Sequence, residues 1–217
     1  MTVGGASAPI PTVAGSTIGA EAPPTTGVLM LGNIGFDSAS ALLARHGLRL
    51  QRVADGAPIP GSFWGDSEAG LIATTVFARA DTPVHSLLHE AAHLLVMPEE
   101  HRQAVHTDAT DSIAEEDAAC YLQILLAESL DGVGSERLMA DMDAWGYSFR
   151  LGSARAWFGH DAEDARAFLK FQTPLLWERL QPRLIRPPLN PSPSPYPLPS
   201  CAPAPPRSSL PFPASPS

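Results

Sequence analysis

The chain has 217 residues, with 23 acidic and 14 basic side chains and a net charge of −9 at neutral pH. All of the acidic residues but only 11 of the basic ones precede residue 181, so that part carries an excess of 12 acidic side chains. An acidic body without a Lys/Arg cluster argues against general binding of nucleic acid, whose backbone needs cations to replace its counterions. No apolar run approaches the roughly eighteen residues of a membrane span, and no secretory signal is visible. We therefore expect a cytoplasmic protein that binds neither nucleic acid nor membrane.

Two stretches of low complexity flank a central region that can fold. Residues 1–26 are mainly Ala, Gly, Pro, Thr and Ser, and residues 181–217 hold 14 of the 23 prolines. Neither stretch has enough large apolar side chains to offset the entropy that is lost on ordering. We predict disordered segments at 1–26 and 181–217 and one folded domain at 27–180. The two cysteines, Cys120 and Cys201, do not indicate a disulfide framework.

Short patterns of different kinds occupy the first half of the central region. Residues 27–36 predict a strand or a buried loop, and residues 37–46 predict a helix. The alternation of apolar and polar residues at 48–53 and the β-branched run at 71–78 each predict a strand. The second of these strands is expected either to offer an edge that binds an extended peptide or to be an ordinary core strand.

The stretch 82–97, TPVHSLLHEAAHLLVM, predicts an amphipathic, half-buried helix. Thr82 is expected to cap this helix and Pro83 to take its first position, where the missing N–H costs nothing. Pro98 ends the helix because the residue before a proline avoids the α region. The apolar stripe that buries it consists of Leu87, Leu88, Ala91, Leu94 and Leu95.

Further helices are predicted in the second half of the central region. A helix is expected from 111 to about 130, where Ser112 and Glu115 match the S-x-x-E capping box. Residues 135–145 and much of 147–180 also predict helices. Together, the predicted elements indicate an α+β fold with a small sheet, a helical core and a mostly helical C-terminal half.

The five residues from His89 to His93 read H-E-A-A-H. Positions four apart on a helix lie one above the other, so His89 and His93 would present two imidazoles to one point, as a Zn²⁺ ion requires. Glu90, one step around the helix, would accept a proton from a water at that site as general base. The alternative is an ordinary amphipathic helix that carries two surface histidines.

A catalytic zinc site commonly has three protein ligands, so the motif lacks one. Glu116 is the preferred third ligand, because Glu115 is assigned to the capping box and the face beyond Glu116 carries small and apolar residues that allow close helix packing. Glu115 and Asp117 remain its main alternatives, and Glu116 could instead serve only to complement the helix dipole. The other candidates are Asp108, Asp111, His101 and His106.

These residues resemble the gluzincin zinc metallopeptidases and are most similar to the ImmA/IrrE-like family. Members of that family have H-E-x-x-H on one helix and E-x-x-A-N-x-F-A on the next, and residues 116–122, EDAACYL, are similar to the second motif. The resemblance covers about residues 63–130. Cys120 stands where the family has Asn.

The resemblance implies a zincin-like helical core and hydrolysis of a peptide or protein substrate. It implies Zn²⁺ ligation by His89, His93 and Glu116, with Glu90 as the catalytic base. The alternative function is a zinc-binding domain without turnover that acts in regulation or protein interaction. The oligomeric state stays open.

Four further residues are candidates for lesser roles. His85 lies one turn before His89 and is expected either to support the site or, more simply, to face solvent. Tyr147 and His160 could donate hydrogen bonds to an oxyanion during peptide hydrolysis. Cys120 is expected to be a small core residue.

Overall fold

The computed structural model describes residues 27–184 apart from four positions, and of residues 181–184 it describes only the backbone. The four positions are Trp64, Asp66, Asp108 and Asp111. The prediction for 1–26 and that for all but the first residues of 181–217 therefore lie outside the described residues. Asp108 and Asp111, two of the alternative third ligands, lie outside them as well.

Helices dominate the described part of the chain, as predicted for its second half. The helices are α1 (Leu31–Ile34), α2 (Phe36–Ala44), α3 (Val84–Val96), α4 (Glu99–Arg102), α5 (Ile113–Ala127), α6 (Gly134–Trp145), α7 (Ala154–His160), α8 (Glu163–Gln172) and α9 (Pro174–Leu184). The strands are β1 (Arg49–Arg52), β2 (Gly70–Ile72) and β3 (Thr75–Ala78). The described residues thus combine one small sheet with many helices, which agrees with the predicted α+β class. None of these helices has the length and apolar character needed to cross a membrane.

The three strands form a mixed sheet in the order β1-β3-β2. β1 runs parallel to β3, with Arg49 opposite Thr75, and β2 runs antiparallel to β3, with Gly70 opposite Phe77. A parallel pair needs a long connection, and here the chain between β1 and β3 includes β2 itself. The sheet therefore has β3 at its centre.

The prediction of one strand over 71–78 is wrong, because the stretch forms parts of two strands joined by a tight turn. Ala73 lies in this turn with a φ of +52°, a left-handed conformation outside the β region. β3 is paired along both edges, and the outer edge of β2 is bridged at Ile72 to His106. β3 therefore offers no free edge to a peptide and is the core strand of the alternative prediction.

Residues 27–36 form neither a strand nor a plain loop. They contain the short helix α1 and pair with the chain that leads into α3, since the amide of Leu31 donates to the Thr82 carbonyl at 2.8 Å. The amide of Gly32 donates to the Ala80 carbonyl at 2.8 Å, and a Cβ on Gly32 would lie 3.0 Å from that oxygen. A side chain at position 32 would force the Ala80 carbonyl to shift by a few tenths of an ångström, so this close approach favours glycine.

α3 is the central helix and is more deeply buried than predicted. Eleven of its 13 residues are buried, and its two partly exposed residues are His89 and Glu90. The sheet packs against this helix, and so do α5 and α6, which explains why it is not half-exposed. Each fully buried leucine, such as Leu87 or Leu94, contributes roughly 1.5–3 kcal/mol by leaving water.

Both predicted helix caps are wrong, although the helices themselves are confirmed. Thr82 does not cap α3, because its hydroxyl accepts a hydrogen bond at 2.9 Å from the amide of Arg79 in the preceding turn. The capping box of α5 does not form, because the Glu115 carboxylate accepts instead from the Thr110 hydroxyl. The amide of Ser112, which the box would satisfy, donates to the same hydroxyl at 3.0 Å.

Candidate metal centre

Two neighbouring helices bring the predicted ligand residues together. His89 and His93 lie one turn apart on α3, and Glu116 lies in the first turn of α5, which packs along α3. The two Nε2 atoms are 3.0 Å apart. Carboxylate oxygens of Glu116 lie 3.6 Å from Nε2 of His89 and 3.4 Å from Nε2 of His93.

These separations match the donor spacing of a tetrahedral zinc site. With zinc–ligand bonds of about 2.0–2.1 Å, tetrahedral donors lie about 3.3 Å from one another. The cluster of His89, His93 and Glu116 therefore has the donor types and the spacing that a zinc ion needs, without movement of either helix. Within the part of the chain that the structure describes, no other group of three His, Cys, Asp or Glu residues converges in this way.

The cluster is buried on the histidine side and open on the carboxylate side. The exposed fraction of the side chain is 7% for His93, 17% for His89 and 46% for Glu116. Glu116 is therefore the member of the cluster that is most open to solvent. A site that keeps a position for water or substrate needs such an opening.

The charges within the cluster suit metal binding. Burial and the charge of His89 lower the pKa of His93 to about 3, against the opposing charge of Glu116. Burial raises the pKa of Glu116, but the hydrogen bond and charge of the histidines outweigh it and lower that pKa. At neutral pH His93 is neutral and Glu116 is ionised, which are the protonation states that ligate metals.

His89 is the exception in this cluster. Burial lowers its pKa, but hydrogen bonds with Cys120 and Glu116, together with the charge of Glu90, outweigh burial and raise the pKa well above the usual value. In the metal-free cluster the raised pKa favours the cationic form of His89, with a proton on both ring nitrogens. A bound metal would have to displace one of these protons.

Glu90 and Tyr147 lie beside the cluster. Glu90 is half-buried, and its charge acts on both His89 and Tyr147. The Tyr147 ring approaches the His89 ring edge-on, with 6.1 Å between centroids. Burial, and then the neighbouring Cys120, Glu68 and Glu90, raise the pKa of Tyr147 well above its usual value, so its hydroxyl keeps a proton that it can donate. His160, the other predicted donor, is exposed at the end of α7 and does not join the cluster.

The prediction that His85 faces solvent is wrong. His85 is only 1% exposed and lies 4.9 Å from the Trp145 ring and 5.4 Å from the Tyr147 ring, measured between centroids. Burial and the charge of His89 lower its pKa to about 3, so His85 is neutral. α6 and the residues that follow it cover the first turn of α3, and the spacing within α3 carries no sign of this contact.

The alternative third ligands have other surroundings. Glu115 is bonded to Thr110, and His101 and His106 are exposed. Asp117 faces a cavity of about 490 Å³ on the α7–α8 side, and burial, with the charges of Glu116 and Asp164, raises its pKa. A second cavity of about 490 Å³ lies between the C-terminal end of α3 and the start of α9. Neither cavity is lined by His89, His93 or Glu116.

The influence of Cys120 on His89 was not predicted from the sequence. Cys120 is half-buried and packs against the hydrophobic core, and its side chain also raises the pKa of His89. The spacing from Glu116 contained the signal, because a residue four positions later on a helix lies on the same face.

Comparisons with protein-family models, with curated proteins and with solved structures found no match to this chain. The likeness to the ImmA/IrrE-like family therefore rests on the residues of its two motifs, and the zinc ligation and catalysis that it implies stay predictions.

Proposed function

We propose that this protein is a zinc-dependent metallopeptidase with a zincin-like core that hydrolyses peptide bonds of a cytoplasmic peptide or protein. The observation that carries the proposal is the convergence of two imidazole nitrogens and a carboxylate, 3.0–3.6 Å apart, from His89, His93 and Glu116. Their spacing, the charge states of His93 and Glu116, and the partial exposure of Glu116 suit a catalytic zinc site.

In this proposal His89, His93 and Glu116 hold the zinc. A zinc ion bound there supplies a Lewis acid that polarises a peptide carbonyl and lowers the pKa of water. Glu90 and His89 are the two partly exposed residues of α3. Glu90 accepts the proton of the attacking water and then returns it to the leaving amine. Tyr147 is given no role in this reaction, because its hydroxyl lies 3.5 Å from Nδ1 of His85.

The second candidate is a zinc-binding domain without turnover, which acts in regulation or protein interaction. Both candidates require zinc, so the measurement that separates them is cleavage.

The test combines metal analysis with a cleavage assay. Purified full-length protein is expected to contain zinc and to cleave members of a mixed peptide library, as followed by mass spectrometry. Glu90→Gln is expected to keep the zinc and to lose about 10²–10⁴-fold in turnover, the usual contribution of a general base. Glu99→Gln, an exposed carboxylate on α4, is the matched control and should cleave at the parent rate.

Each outcome decides between the candidates. Unchanged turnover in Glu90→Gln would remove Glu90 from the catalytic role. Zinc without cleavage in the parent protein favours the non-catalytic domain. A parent protein that takes up no zinc rejects both candidates.

A further inference from the structure

A cavity of about 490 Å³ lies at the C-terminal end of α3, and none of the metal-cluster residues lines it. Its walls are formed by the ends of α2, α3 and α8, the short helix α4 and the start of α9. Pockets that hold small ligands in proteins have volumes of roughly 300–1,000 Å³, so this cavity has room for a ligand. We call it the arginine cavity, because its lining includes Arg45, Arg102 and Arg179.

The charge of this cavity is opposite to that of the protein as a whole. The three arginines belong to the 11 basic residues that precede residue 181, a part of the chain with 23 acidic residues. Five other arginines of the described part pair with carboxylates, whereas no described carboxylate lies within 4.0 Å of the charged groups of these three. Glu99 is the single acidic residue among the described residues that line the cavity. The lining therefore has an excess of positive charge that no direct ion pair with a described residue neutralises.

Arg102 provides a second observation that points to an anion. Its Nε is buried and has no acceptor among the described residues. Its Nη2 donates one long hydrogen bond of 3.5 Å to the Met97 carbonyl. A buried donor without an acceptor costs free energy. A carboxylate or phosphate beside this guanidinium would supply the two-pronged, charge-assisted hydrogen bonds that arginine forms best.

The opposite part of the lining is apolar. It consists of residues from the end of α3 and the start of α9, namely Leu95, Val96, Met97, Leu175 and Leu176. Leu175 is 68% exposed, so it has apolar surface that a ligand can cover. No Phe, Tyr or Trp is among the described lining residues, so this lining lacks the rings on which a nucleobase commonly stacks. A ligand that matches both parts of the lining has an anionic head and a hydrocarbon tail.

We propose that the arginine cavity binds a small amphipathic anion, whose carboxylate or phosphate head pairs with the arginines and whose hydrocarbon tail packs against Leu95 and Leu175. This site is separate from the metal cluster. Binding there requires neither zinc nor catalysis, so the proposal does not depend on the proposed function.

The test is isothermal titration calorimetry of the full-length protein with four probes. Octanoate and octyl phosphate each have an anionic head and a hydrocarbon tail, and each is expected to bind once per chain; the tighter of the two identifies the preferred head group. Octylammonium has the same tail with the opposite charge, and acetate has the head without the tail. Each of these two is expected to bind at least about 10-fold more weakly than octanoate, because one of the two matching interactions is lost.

Substitutions in the lining locate the bound probe. Arg102→Gln is expected to weaken octanoate binding about 10–100-fold, the usual effect of losing a hydrogen bond to a charged group. Arg179→Gln, at an exposed position of α9, is expected to weaken it about 2–5-fold, and it tests the site even if Arg102→Gln fails to fold. Arg49→Gln, an exposed arginine of β1 outside the cavity, is the matched control and should bind octanoate like the parent.

Four results would overturn the inference. Absence of saturable octanoate binding would leave the arginines as partners of the negative C-terminal ends of the helices. Equal binding of octylammonium and octanoate would show adsorption to apolar surface without recognition of charge, and equal binding of acetate would exclude the apolar part of the lining from the site. Octanoate binding that both cavity variants leave unchanged would place the ligand elsewhere, and its loss on removal of zinc with a chelator would place it at the metal cluster. None of these results changes the outcome of the cleavage assay, which tests the proposed function separately.

Discussion

The two helices that build the candidate centre supply its donors in different ways. α3 provides two donors whose separation follows from one helical turn, so their convergence is a local property. α5 provides one donor from its first turn, and the position of that donor depends on how closely the two helices pack. The histidine pair should therefore tolerate changes outside α3, while the carboxylate should be sensitive to any change between the helices.

Removal of one donor from either helix should give the largest effect. We expect His93→Ala and Glu116→Ala each to weaken zinc binding by more than about 100-fold. This exceeds the loss of about 10–100-fold that is usual when only the hydrogen-bond partner of a metal ligand is removed. The measurement is chelator competition on purified protein. Glu115→Ala is the matched control on α5, because its carboxylate bonds Thr110 instead of facing the cluster. Weaker zinc binding in Glu115→Ala, with no change in Glu116→Ala, would exchange the roles of these two neighbours.

A larger side chain between α3 and α5 should test whether the position of the Glu116 carboxylate depends on how closely the two helices pack. Ala119 is fully buried and lies three residues after Glu116, on the face of α5 that packs toward α3. Ala119→Leu should lower the free energy of unfolding of the metal-free protein by about 1–3 kcal/mol, as overpacking does. It should also weaken zinc binding, because α5 and its carboxylate are displaced.

The control for this change is the same substitution at an exposed position of the same helix. Ala114→Leu should leave both the denaturation midpoint and the zinc affinity close to those of the parent. If Ala119→Leu kept the zinc affinity of the parent, the carboxylate would not depend on the packing between the helices.

The turn before α3 should give a smaller effect, and one on stability alone. Thr82 is fully buried, and its hydroxyl accepts the amide hydrogen of Arg79. Thr82→Ala leaves that buried amide without a partner and should lower the free energy of unfolding by about 1–3 kcal/mol in urea denaturation of the metal-free protein. Thr82→Ser keeps the hydroxyl and should lose less stability. An equal loss in both variants would assign the effect to the methyl group instead.

The smallest effect concerns acid stability at the same turn. The hydrogen bond and charge of Arg79 lower the pKa of Asp81, although burial opposes them. A carboxyl whose pKa is lowered by folding stabilises the protein above its unfolded pKa of about 3.9, and the contribution disappears as the pH falls through the folded value. Because Asp81 is largely exposed, we expect less than about 1 kcal/mol. Denaturation midpoints of the parent and Asp81→Asn should differ at pH 6 and converge in strong acid; a gap that persists in strong acid would exclude the ion pair as its cause.

Helices and strands with a periodic pattern of apolar residues were predicted correctly from the sequence alone. The bounds of α2, β1, α3, α5 and α6 agree with the predictions to within a few residues, because periodicity reports on local backbone geometry. The convergence of His89 and His93 belongs to the same class, since one helical turn brings positions four apart together.

Features that depend on contacts between distant residues were missed or left open. The caps at Thr82 and Ser112 do not form, because the Arg79 amide occupies the Thr82 hydroxyl and the Thr110 hydroxyl engages both Glu115 and the Ser112 amide. The burial of His85 depends on Trp145, which lies at the end of α6 and is distant in the sequence. The choice among three adjacent acidic residues was made for a partly wrong reason, since Glu115 is engaged by Thr110 and not by a capping box.

The sequence alone determined the pair of histidines, the neighbouring Glu90 and the helix that bears them, because these three residues lie within about one helical turn. The packing of α5 on α3 decided which carboxylate faces the histidines and which member of the cluster is most exposed. These features depend on the rotation and spacing of two helices, and that geometry comes from the apolar core as a whole and not from any single stretch of the chain.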